Sequence, residues 1–166
     1  GACQRGWLVL STQSTQPLFS GAYCWDDAAL GLADLSSYYD EVSREYPIDP
    51  QRVLLAGFSQ GGGMAIQAAL SEKFGARGFI GIGTFIAEPD SLIPLVKQSP
   101  SVRGYFVVGE KDHTLDKVRA IQHILKENSI PFAEEVHPDL AHEFPADFGS
   151  SFEKAIEIDP YWSLNQ

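Results

Sequence analysis

The sequence predicts a doubly wound α/β fold built on a mainly parallel sheet. Three observations carry that prediction. Short apolar runs at Val53-Leu54-Leu55-Ala56, Gly78-Phe79-Ile80-Gly81-Ile82 and Tyr105-Phe106-Val107-Val108 have the density of strands covered on both faces. Stretches with helical spacing lie between them, and strands that alternate with helices argue for parallel pairing. Finally, a serine, an acidic cluster and a histidine loop each arrive just where a strand stops, and sheets of this kind bind ligands beyond the carboxyl ends of their strands.

The elements follow in order. A first strand is read at Trp7-Leu8-Val9-Leu10, then a polar loop over residues 11–23 with Pro17 and Gly21 as breakers. Asp26 or Asp27 caps a long helix whose apolar positions Ala28, Leu32, Leu35, Tyr39, Val42 and Tyr46 step by four and three along one face. Pro47 ends it. The strand from Val53 runs into Gly57-Phe58-Ser59-Gln60-Gly61 and then a helix carrying Met64, Ala65, Ile66, Ala68, Ala69 and Leu70. After the strand at Gly78, a short helical segment over 90–97 leads to the strand at Tyr105, which stops at Gly109-Glu110-Lys111-Asp112-His113. A helix from about Asp116 buries Val118, Ile121 and Leu125. Pro131 opens an alternating edge-like strand over 132–136. A last helix over 146–158 buries Phe148, Phe152, Ala155 and Ile156, with Tyr161 and Trp162 packed beneath it. The Ser59 strand is expected at the centre, with the Phe79 strand on one side, the Tyr105 strand beyond that and the Phe132 strand closing the edge.

The 166 residues suit a single domain over 1–166 with a real core. A formal charge of −10 argues against nucleic acid or an anionic membrane as partner. No apolar run approaches a membrane span. Cys3 and Cys24 read as reduced thiols of a cytoplasmic protein, with no metal-ligand spacing. Gly1 is not an initiator methionine, so an upstream segment is allowed.

The G-x-S-x-G spacing of Gly57 to Gly61 matches a nucleophile elbow, a sharp strand-to-helix turn that lifts a serine hydroxyl above the sheet. The helix start supplies backbone N–H groups, that of Gln60 first, aimed where negative charge develops on an attacked carbonyl. A serine is a poor nucleophile alone: it needs a neutral imidazole to take its proton and a carboxylate to fix the imidazole tautomer. Among the histidines, position favours His142. His123 lies inside a helix, His113 adjoins the acidic cluster and is expected to point away from it, and His137 begins the loop that His142 ends. For the acid, Asp112 competes with Glu110, Asp116 and Asp139, and Asp116 also fits a helix cap. A metal site built from His137, Asp139, His142 and Glu143 matches no zinc spacing. Asp26 and Asp27 read as a helix start rather than an acid/base pair.

With these positions placed, the chain resembles the α/β-hydrolase superfamily, and within it the phospholipase/carboxylesterase group that includes acyl-protein thioesterases. Gly57-Phe58-Ser59-Gln60-Gly61-Gly62 matches that group's nucleophile signature, Gly109-Glu110-Lys111-Asp112 looks like its acid loop, and Ala141-His142-Glu143-Phe144-Pro145 looks like its histidine loop. The resemblance implies Ser59 as nucleophile, His142 as general base, Asp112 as orienting acid and the Gln60 N–H as one oxyanion donor. It implies carboxylic esters or thioesters as small-molecule substrates and no cofactor. The alternative is a non-catalytic α/β-hydrolase-like domain serving binding or assembly.

The front of the chain departs from that pattern. The family carries an earlier strand, ending in a His-Gly loop that gives a second oxyanion donor, between the counterparts of the Trp7 and Ser59 strands. This sequence has none, so the fold is expected to be an N-terminally truncated one. The space between the two strands should then be a gap, a direct pairing of the two, or a place filled by an upstream segment or a second chain.

Overall fold

The computed structural model describes residues 2–98 and 101–158. A hairpin of β1 (Gln16–Phe19) and β2 (Ala22–Cys24) precedes α1 (Ala28–Glu45). The sheet and its helices then alternate as β3 (Leu54–Phe58), α2 (Gln60–Leu70), β4 (Gly78–Ile82), α3 (Ile93–Val96), β5 (Arg103–Gly109), α4 (Leu115–Glu127), β6 (Phe132–His137) and α5 (Phe148–Ile158). The four strands β3-β4-β5-β6 pair in that order, all parallel. This is an α/β fold of the kind the sequence predicts. Expectations for Tyr161 and Trp162 fall outside the described residues.

Side chains alternate across the sheet as a strand period of two requires. Phe79, Phe106 and Val108 face one way and are sealed by α2 and α4, with Leu32, Leu35 and Tyr39 of α1 packed against the same cluster. Ile80, Ile82, Tyr105 and Val107 face the other way, beneath Phe148, Phe152 and Ala155 of α5. Val118, Ile121 and Leu125 of α4 are fully buried, and Phe79 meets Phe106 edge to face at 5.5 Å. Under α5 a polar tie joins the layers: the Tyr105 hydroxyl donates to Glu135 at 3.2 Å, and Lys154 donates to the same carboxylate at 2.6 Å. Burial and then Glu135 push the Tyr105 phenol up to about 12, so it stays a donor.

Three expectations are corrected. Residues 7–10 form no strand, because a ladder needs a neighbouring strand to bond to and among the described residues no strand pairs with them. Leu8, Val9 and Leu10 are left about half exposed. The Ser59 strand is not central: among the described residues β3 has β4 as its one ladder partner. Its other edge faces a cleft of about 420 Å³ whose opposite wall includes Trp7, Leu8 and Leu10. The cleft explains why β3 is not covered like β4, whose residues are all buried, while Ala56 in mid-strand is exposed. Of the outcomes foreseen for this region, direct pairing of residues 7–10 with β3 is not what is seen. Finally, the polar loop over 11–23 contains the β1–β2 hairpin, with Phe19 opposite Ala22 and Gly21 turning at φ +77.

The long helix starts as expected. Asp27 is its N-cap, accepting from Ala29 and Leu30 N–H, and the helix stops before Pro47, although Tyr46 stays exposed. Asp26 does something else: it accepts from the Gln60 side-chain NH₂ at 2.6 Å, while Gln60 Oε1 accepts the Trp25 N–H at 3.2 Å. Cys3 is exposed and Cys24 buried, and neither is in a disulfide. Among the described residues no helix is long and apolar enough to cross a membrane.

Candidate active site

Ser59 sits at the junction of β3 and α2 with φ 54 and ψ −122, a left-handed conformation that costs a non-glycine residue free energy. The surroundings hold it there. Its N–H donates to Ile82 at 2.9 Å, and its carbonyl accepts from Gly63 at 3.1 Å and Phe85 at 3.0 Å. The turn closes so tightly that a Cβ on Gly57 would lie 2.1 Å from the Gly61 carbonyl oxygen. Only glycine fits at that point of strand and helix contact. Gln60 is the first residue of α2, where helix geometry leaves backbone N–H groups without intrahelical partners.

The acid comes from the turn after β5. The Asp112 N–H donates to Gly109 at 3.2 Å, and its side chain is 1% exposed. Oδ1 accepts from the Thr114 N–H at 2.7 Å and the Thr114 hydroxyl at 2.8 Å. Burial pushes this carboxyl up, but the hydrogen bonds from Thr114 and His142 outweigh it and hold it below the ordinary carboxylate value.

The histidine comes from the loop after β6. Lys111 donates to the Leu140 carbonyl at 3.1 Å, and Leu140 donates to the His137 carbonyl at 3.3 Å, so the acid and histidine loops are laced together. Phe58 packs against the His142 ring with centroids 4.7 Å apart, and Phe144 stacks on Phe58 at 4.9 Å. His142 Nδ1 lies 3.0 Å from each Asp112 oxygen, and Nε2 lies 2.9 Å from Ser59 Oγ. Three residues separated by up to 83 positions in sequence thus meet at the carboxyl ends of β3 and β5 and in the loop beyond β6.

The rivals are elsewhere. Asp139 pairs with Lys111 at 2.8 Å in solvent, Asp116 lies in the first turn of α4, His123 is on that helix's exposed side, and His137 lies 3.3 Å from Glu135. His113 departs from expectation: it does not point away but packs edge-on against the His142 ring with centroids 4.4 Å apart. Sequence reasoning missed Gly83, Thr114 and the Gln60 side chain as supports of the site. For Thr114 a signal existed, since an Asp readily accepts from the backbone two residues on.

The lowered Asp112 carboxyl fixes a pH expectation. A carboxyl depressed on folding stabilises fully above its unfolded value, about 3.9, and that contribution is lost as pH falls below it through the folded value. Asp112 should therefore stay charged as ester turnover is measured from pH 8 down to pH 4.5, and add no ionisation of its own to the profile. An ionisation in that range that is present in the parent chain and absent from Asp112→Asn would contradict this.

A four-stranded parallel sheet with helices on both faces, and a sharp serine turn between β3 and α2, is the arrangement of an α/β-hydrolase fold. The chain belongs to the phospholipase/carboxylesterase family, which matches residues 37–158. It is similar to an uncharacterized protein from Bacillus cereus, with 26% identity and a TM-score of 0.86 over 95% of this chain and 52% of that one. The chain thus spans about half the length of that protein. Arabidopsis thaliana SOBER1 is similar in fold, with 17% identity and a TM-score of 0.62 over 84% of this chain and 68% of that one. So is esterase PE8, with 18% identity and a TM-score of 0.61 over 85% and 69%. No curated protein matches the chain.

Proposed function

We propose that this chain carries the acyl-transfer chemistry of a serine hydrolase acting on carboxylic esters or thioesters. The observation that supports it most is the continuous line from Asp112 through both ring nitrogens of His142 to Ser59 Oγ. In this reading His142 Nε2 takes the hydroxyl proton as Ser59 Oγ bonds to the substrate carbonyl carbon, and Asp112 steadies the imidazolium. The Gln60 N–H donates to the resulting oxyanion. Collapse expels the alcohol or thiol, which leaves with the proton from His142. Water then attacks the acyl-enzyme with its proton passing to His142, and the acid departs as Ser59 recovers its proton. A fluorophosphonate probe on the folded chain tests this. Expected is a single adduct on the Ser59 peptide; no adduct, or one that persists in Ser59→Ala, refutes it.

One donor is a weak oxyanion hole. Removing a donor in other acyl-transfer enzymes costs about 10² to 10³ in rate, so the 166-residue chain should hydrolyse esters slowly. The cleft beside β3 is where a further strand, from an upstream segment or a second chain, fits the sheet, and a second donor is expected to arrive with it. A version extended at the N-terminus is therefore expected to be faster by about 10² to 10³. Equal rates for the two would show that the donor set is already complete, and residues 11–23 are the first place to look for the second.

The open edge of β3 also favours one other reading, a non-catalytic domain that uses this edge for assembly. Absence of turnover on every short and medium acyl ester by a folded, extended chain would select it.

A further inference from the structure

We infer that Asp112, His113 and His142 form an inhibitory site for a zinc-class divalent cation, in which the metal disables the base by seizing His142 Nδ1. Among the described residues these three are the group of possible metal ligands whose donor atoms all lie within 4.8 Å of one another. Zinc binds imidazole nitrogen and carboxylate oxygen at about 2.0 to 2.2 Å, so tetrahedral ligands stand about 3.4 Å apart. His142 Nδ1 to Asp112 Oδ1 is 3.0 Å and His113 Nδ1 to Asp112 Oδ1 is 3.8 Å. Small side-chain movements bring these two pairs to the metal's requirement, and the third, His113 to His142, lies within 4.8 Å and closes as the exposed His113 side chain turns. The donor set, two imidazoles and one carboxylate with a fourth position for water, is one zinc commonly takes.

His113 is what makes this more than the site already described. Its side chain is 73% exposed, it plays no part in the proposed acyl transfer, and it lies against the His142 ring on the solvent side. It is free to swing onto a cation arriving from water, while Asp112 is fixed by Thr114 and brings the negative charge. The chemistry of inhibition follows from imidazole tautomers. A neutral ring that ligates through Nδ1 must carry its one proton on Nε2. The metal forms a bond to the Nδ1 lone pair, the proton formerly there moves by way of water to Nε2, and no net proton is released. Nε2 then donates to Ser59 Oγ and can no longer accept its proton.

The binding part stands by itself, and the inhibition part rests on the serine-hydrolase reading. The test uses the full chain in a Cys3→Ser background, which removes the exposed thiol as a competing ligand. Cobalt(II) alone is titrated as a visible probe, then displaced by zinc, in the parent and in His113→Phe, which keeps a ring against His142 but has no ligating nitrogen. Expected is one equivalent bound with a four-coordinate spectrum, and affinity at least tenfold weaker in His113→Phe. No binding, or equal affinity in the two, overturns the site. In parallel, ester turnover is followed against zinc, each protein relative to its own metal-free rate. Complete, chelator-reversible inhibition of the parent and at least tenfold less sensitivity in His113→Phe is the expected result, and equal sensitivity overturns the inhibitory role. A chain that binds cobalt in this His113-dependent way but turns over no ester would refute the hydrolase reading and leave the metal site standing.

Discussion

His142→Ala is expected to lower ester turnover about 10⁶-fold, as loss of a base that acts as one unit with its nucleophile does in a serine protease. Asp112→Asn is expected to lower it about 10⁴-fold, because an amide beside Nδ1 favours the wrong tautomer while leaving the geometry intact. The two differ in kind. Without His142 the base is gone, since among the described residues the imidazole nitrogen at 2.9 Å is the hydrogen-bond contact to Ser59 Oγ. Without the Asp112 charge the imidazole remains in place, packed on Phe58, and the Thr114 N–H still finds a side-chain oxygen. Both variants should keep the parent's circular dichroism and melt within a few degrees of it. The measurement is single-turnover acylation with an activated ester, which separates the chemical step from release. Should His142→Ala retain most of its rate while His113→Ala or His137→Ala loses it, the base is misassigned. A near-parental rate for Asp112→Asn would move the acid to Glu110 or Asp116.

Much of this arrangement was legible in the sequence because the signals were local. Dense apolar runs identify β4 and β5, and the order of strands in a parallel sheet follows from the short connections between them. The elbow is legible because a sharp turn demands small residues at fixed offsets, here Gly57 and Gly61. What failed depended on partners distant in sequence. Trp7-Leu8-Val9-Leu10 has the composition of a strand, yet composition cannot supply the neighbour that a strand must bond to. The same missing neighbour turns β3 from a centre into an edge, although its apolar run reads like that of β4. The β1–β2 hairpin was hidden because Pro17 and Gly21 read as loop residues, and because the two-residue Ser20-Gly21 connection, with Gly21 alone at positive φ, is not one of the dipeptides that mark a tight hairpin turn. His113 shows a different limit. Its neighbour Asp112 was read from the chain, but the direction of an exposed side chain depends on which ring it finds, and His142 is 29 residues away.

Gly83→Ala is expected to lower turnover by about 10³ to 10⁴ while leaving the fold largely intact, the upper bound being what loss of an orienting carboxylate costs. Gly83 ends the β4 strand region at φ +46, with its N–H donating to Val107 at 2.9 Å. A Cβ there would lie 2.7 Å from Asp112 Oδ2, 3.2 Å from His142 Nδ1 and 3.3 Å from the Phe58 ring. The first of these atoms ends a side chain, so the clash can be relieved by swinging Oδ2 about Oδ1, the oxygen that Thr114 holds, a movement local to this side chain. It is expensive for the site, because the swing takes Oδ2 off the imidazole nitrogen it faces at 3.0 Å. The left-handed backbone adds about 1 to 2 kcal/mol for a residue with a Cβ, enough to lower the melting temperature by several degrees but not to unfold a domain of this size. Two readouts separate displacement of the carboxylate from general damage. Fluorophosphonate labelling should slow in step with ester turnover, since both need the base. In the double variant Gly83→Ala with Asp112→Asn, the losses should fail to multiply, because the second substitution removes what the first had already displaced. If the two losses multiply in full, Gly83 acts on the site by a route that does not pass through Asp112.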